Sequence, residues 1–88
     1  MNSIVHITVE DFDSWKVAFD SMDQVRKTGG VLSAKVYRNE DNPNELFLIL
    51  EWSDGEKARN FHGSDAFKQA LQRGGVIGSP DISYVDQV

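Results

Sequence analysis

The chain has 88 residues, no Cys, and a formal net charge of −5 from 14 acidic and 9 basic side chains. One domain over residues 1–88 is all that this length holds; it buries only about 60–65% of its unfolded surface, and with disulfides and thiolate metal sites excluded a partner subunit is the expected supplement. The bases are scattered singly, so the basic stripe that displaces counterions from nucleic acid is missing, and an anionic membrane is equally disfavoured.

The first element in chain order is a strand over residues 2–9 (NSIVHITV), which alternates and carries four β-branched aliphatics. Asp11 or Asp13 can then cap a helix. At about 100° per residue, Phe12, Trp15, Ala18, Phe19, Met22 and Val25 fall within an arc of about 140°. Asp13, Lys16, Asp20, Asp23 and Lys27 take the other side, and Gly29-Gly30 ends the helix. Residues 31–39 read as a second strand. Asp41-Asn42-Pro43-Asn44 supplies a turn, and residues 45–52 (ELFLILEW) form a third strand antiparallel to the second. Ser53 with Glu56 reads as a capping box that opens a helix through about His62. Gly63 interrupts it, Ser64 caps a further stretch carrying Phe67, Ala70 and Leu71, and Gly74-Gly75 stops it. Residues 74–80 (GGVIGSP) read as a glycine loop, with a flexible lid as its functional reading and an ordinary connection as the simpler one. Residues 81–88 alternate again as a last strand.

Asp11 and Asp13 arrive too early for a signal peptide. The longest apolar run, Leu46 to Leu50, is far short of the ~20 residues a membrane helix needs. The expected location is therefore cytoplasmic, which the absence of Cys fits.

The order βαββαβ predicts an α+β, ferredoxin-like fold: a four-stranded antiparallel sheet with the helices on one face. Strand three is apolar on both sides, with Leu46, Leu48, Leu50 and Trp52 on one and Phe47 and Ile49 on the other. Strand two splits similarly, Leu32, Ala34 and Val36 against Val31 and Tyr37. A sheet with one wet face alternates apolar and polar instead. An uncovered patch of ~400 Å² is at the upper range for a monomer. A homodimer through the sheet face removes it, with two-fold symmetry.

Several stretches together resemble the antibiotic-biosynthesis-monooxygenase superfamily of dimeric α+β barrels, over essentially the whole chain. They are His6-Ile7-Thr8-Val9 with Phe12, Trp15 and Phe19, then Arg38 with the 41–45 turn, and Leu50-Glu51-Trp52 leading to Ala58 and Phe61. Ser64-Asp65-Ala66-Phe67-Lys68-Gln69-Ala70 and Gly74-Gly75-Val76 complete the set. The resemblance is to small members with monooxygenase-like or cyclase-like labels. It implies a pocket for a small hydrophobic ligand between sheet and helices. It also implies cofactor-independent chemistry, in which an enolised aromatic substrate itself reduces oxygen while the protein supplies acid–base groups and a dry cavity. Haem-degrading relatives share the Ser-Asp-x-Phe-Lys stretch but follow it with an iron-ligating histidine, and the corresponding place here is about Leu71. No cofactor and no metal are therefore expected. The fold hosts oxygenases, isomerases, cyclases and proteins without known reaction, so whether this chain is an enzyme is left open.

Within that frame the candidate acid–base residues are His6, on the face of strand one shared with Ile4 and Thr8, and more weakly His62. The simpler readings are a hydrogen-bonded or dimer-seam histidine for His6 and a cation favoured by a helix C-terminus for His62. Trp52 and Trp15 are candidate walls of a planar-ligand pocket or plain core, and Tyr37 and Tyr84 offer hydroxyls to a ligand oxygen or only wet tips to their strands. Two function classes follow. One is a cofactor-independent monooxygenase- or cyclase-like enzyme acting on a small cyclic or aromatic compound. The other is a non-catalytic ligand-binding or dimerisation module. A cavity of a few hundred Å³ with one or two polar groups favours an enzyme or a binder; an interior packed by Trp15, Phe19 and Phe67 favours a plain structural module.

Overall fold

A computed structural model describes residues 1–88. The elements run β1 (Asn2–Val9), α1 (Phe12–Ser21), α2 (Asp23–Thr28), β2 (Val31–Arg38), β3 (Glu45–Trp52), α3 (Gly55–His62), α4 (Asp65–Arg73) and β4 (Val76–Val85). The strands form one sheet in the order β2-β3-β1-β4, with every neighbouring pair antiparallel. This is the ferredoxin-like α+β arrangement that the element order predicts. No helix is long and apolar enough to cross a membrane.

Period-two alternation assigns the faces. Ser3, Val5, Ile7 and Val9 of β1 and Leu46, Leu48, Leu50 and Trp52 of β3 are all buried beneath the helices. Each fully buried aliphatic contributes roughly 1.5–3 kcal/mol relative to exposure, so these two central strands anchor the core. Trp15 and Ala58 close on them from the helices as members of the same cluster. On the other face, Ile4 pairs with Ile49 and His6 with Phe47. Tyr37, on that face beside Phe47, is half-exposed.

Four boundaries differ from the sequence expectation. The first helix is two: α1 stops at Met22, whose N–H turns back to the Phe19 carbonyl at 3.1 Å, and α2 restarts there. The Phe19 carbonyl also accepts from Arg26 Nη1 at 2.8 Å, so a side chain replaces the missing helical bond. Asp11 is the cap of α1, accepting from the Ser14 N–H at 2.9 Å. For α3 the cap is Asp54, accepting from Lys57 N–H at 2.8 Å, and not Ser53; Ser64 caps α4 as expected. In β2 a register shift between Val31 and Ser33 puts Val31 on the helix side opposite Trp52 and leaves Leu32 exposed.

The fourth difference is the glycine segment. It is not a loop: β4 begins at Val76 and runs through Gly78, Ser79 and Pro80. Its pairing with β1 shifts register between His6 and Thr8, and Gly78 there has φ +72°, a conformation costly for residues with a Cβ. A hydrogen-bonded edge strand cannot serve as the flexible lid.

Candidate functional site

Between the sheet and helices α1, α2 and α4 lies a cavity of about 60 Å³. Of its 15 lining residues 13 are hydrophobic. Val5, Ile7 and Leu48 form its floor. Trp15, Ala18, Phe19, Met22 and Val25, the apolar stripe read from the sequence, form one wall, and Phe67, Ala70 and Leu71 another. Trp15 stacks on Phe19 with centroids 4.8 Å apart. The cavity is smaller than a few hundred Å³, yet the interior is not filled.

Arg26 is the one charged residue in the lining. Only 8% of it is exposed. Its guanidinium lies 3.6 Å from the Phe19 ring centroid, and Nη2 is 3.7 Å from Asp23 Oδ1. Burial lowers the Arg26 pKa from its ordinary value, with Asp23 and Asp20 opposing; arginine nevertheless stays charged in proteins. Its Nε is buried and has no hydrogen-bond partner. Phe19 and Arg26 also line an open groove against β2, with Lys16, Asp20, Asp23, Ala34 and Val36. The Phe19–Arg26 pair therefore separates groove from cavity. Sequence reading passed over Arg26, although it falls seven residues after Phe19 and four after Met22, on the stripe's own side of the wheel.

At the other end of the same layer, the Ser3 hydroxyl accepts from the Trp52 indole N–H at 2.8 Å and bonds His62 Nε2 at 2.9 Å. Ser3 is fully buried. The His62 ring packs edge-on to Phe67 at 4.7 Å and near Trp52 and Tyr84. Desolvation pushes its pKa down to about 4, and Nδ1 is buried without a partner. His62 is thus neutral at physiological pH, which corrects the reading of it as a cation on a helix C-terminus. Ser3 was missed because its partner lies 59 residues away in sequence.

The remaining candidates do not join the cavity. His6 stands on the outer sheet face, stacked on Phe47 at 4.6 Å with 6° between planes. Its Nε2 is 3.1 Å from Glu45 Oε1 and its Nδ1 3.7 Å from Asp81 Oδ2. Tyr37 is on that face too. Tyr84 is on the helix side, under the Arg59 guanidinium at 4.3 Å. Of the four ligand-binding candidates only Trp15 lines the cavity; Trp52 is core. Leu71 offers only aliphatic carbon to the cavity, so the residues present do not fit a haem iron there.

A four-stranded antiparallel sheet with helices on one face and a small apolar cavity between the layers defines an α+β ferredoxin-like protein. A family model described as antibiotic biosynthesis monooxygenase matches residues 5–73, and the chain belongs to that family. The fold is similar to that of a candidate antibiotic biosynthesis monooxygenase from Bordetella bronchiseptica: TM-score 0.85, 14% identity, 99% of this chain and 95% of that one. It is also similar to SnoaB, a cofactor-independent oxygenase from Streptomyces nogalater, with TM-score 0.75, 14% identity, and 99% and 93% covered. In sequence it is 35% identical over 66 residues to a candidate heme-binding protein of Natronomonas pharaonis. That match takes in 75% of this chain but only 10% of the relative's length.

Proposed function

We propose that the chain takes a small cyclic or aromatic compound into the cavity between sheet and helices and acts on it as a cofactor-independent monooxygenase- or cyclase-like enzyme. The observation that carries this reading is the cavity itself, an apolar space with a single charged residue in its wall. The likeness to SnoaB supports the oxygenase form. In this reading Trp15 is a planar wall, and the substrate's own enol supplies the electrons. His6 lies across the sheet from the cavity and takes no part in it.

The test measures oxygen uptake and product mass with single-ring hydroquinones and cyclic 1,3-diketones. Turnover is expected for the native chain and for His6→Ala, and its loss is expected in Ala70→Phe, which fills the cavity. Turnover that survives Ala70→Phe sinks the reading. A second reading, a non-catalytic ligand binder, is favoured by the lack of any lining side chain that titrates near neutrality. It predicts saturable binding with neither oxygen uptake nor ring closure.

The working unit in this proposal is a homodimer packed through the outer sheet face, where Ile4, Phe47 and Ile49 cluster beside Tyr37. Phe47→Glu puts a charge at the centre of that contact. Sedimentation should then show a dimer for the native chain and a folded monomer for the variant. A native chain that sediments as a monomer at micromolar concentration overturns the dimer.

A further inference from the structure

Arg26 is more buried than its structural duties explain. Capping α1 through the Phe19 carbonyl uses one N–H of Nη1, and Asp23 stands at 3.7 Å, beyond good hydrogen-bond length. The guanidinium has five donors, and Nε is desolvated with nothing to bond. An unpaired buried donor costs roughly 1–3 kcal/mol, more for a charged one. A solvent-facing arginine would serve as helix cap without that cost. The orphaned Nε belongs to the one charged residue that lines an otherwise apolar cavity. An anionic oxygen is the partner that recovers the cost, because charge-assisted bonds are the strong ones.

The size of the cavity sets the rest of the ligand. The 60 Å³ is less than half of the ~150 Å³ that accepts benzene in an engineered apolar cavity. A single ring is therefore the upper limit, and it seats only as the lining moves outward. Trp15 and Phe19, stacked on each other, flank such a ring.

We infer that the cavity's ligand is a single-ring organic anion, a carboxylate or ring enolate, whose oxygen is held by Arg26 while its ring sits among Trp15, Phe19 and Phe67. This rests on the cavity being the working site and adds the charge and size class of what fills it. The open groove on the far side of Phe19 and Arg26 is the way in; its Lys16 is paired with Asp20 at 2.7 Å and Asp23 lines it too, so the anion is held by Arg26 and not by a field along the groove.

The probes are benzoate and its neutral counterpart benzyl alcohol, titrated into the full chain at pH 7 by calorimetry. A parallel spectrum follows the Arg26 Nε–H resonance in ¹⁵N-labelled protein. Benzoate is expected to bind at least 10-fold tighter than benzyl alcohol and to shift the Nε–H signal. In Arg26→Met that preference should vanish, with benzyl alcohol binding retained. Equal affinity of the native chain for the two probes overturns the inference and leaves the cavity reading standing. Binding of neither overturns both. If Arg26→Met does not fold, the native Nε–H resonance decides: saturation with benzoate that leaves it unmoved overturns the inference.

Discussion

Two tryptophans sit in the layer between helices and sheet, and their surroundings are opposite. Trp52 is tied by its indole N–H to Ser3, which is bonded in turn to His62, and Phe61 and Phe67 pack between this hydrogen-bonded end and the cavity that they also line. Trp15 stacks on Phe19 at the other end and looks onto empty space. Interiors are normally packed to crystal-like density. A void beside one indole and a hydrogen-bonded network around the other, complete except at His62 Nδ1, therefore separate a part that holds the fold from a part that is free to receive something.

The comparison breaks first at Trp52. Trp52→Ala should destabilise by ~3–5 kcal/mol, as large aromatic deletions in packed cores do; a loss below ~1 kcal/mol in urea unfolding would mean that this end is not tightly filled. At the other end, a Cβ on Gly74 would lie 2.7 Å from Trp15 Cδ1. Gly74→Ala should cost ~1–3 kcal/mol by overpacking and shift Trp15 emission in a Trp52→Phe background. Unchanged emission would show that the indole is not held against the glycine.

The smallest effect concerns pH. His62 has a folded pKa of about 4 against an ordinary 6.5, so the unfolded chain binds more protons between those values. Its stabilisation of the fold is complete above pH 6.5 and is lost as pH falls from 6.5 toward 4. Discounted for partial exposure, the loss is on the order of 1–2 kcal/mol. His62→Phe should flatten the stability profile across that window, and an unchanged slope would place the proton uptake on another group.

Much of this was legible in the sequence. The period-two pattern assigned Leu46 and Leu48 to one face and Phe47 and Ile49 to the other, and the apolar stripe from Trp15 to Val25 is the cavity wall. What escaped was non-local or locally unmarked. No glycine or proline marks the break at Met22, which a side-chain donor from Arg26 stabilises. Ser3 acquires its meaning only when α3 brings His62 over β1. Three glycines and a proline disguised the start of β4, because a bulged strand uses the same residues as a loop.

That bulge has a further effect. β4 is one of the two borders of the sheet, and borders invite strands of other molecules to add on. Pro80 has no N–H to offer such a strand, and Gly78 bends the chain two residues earlier. Ribbon-like extension along this side is thereby discouraged.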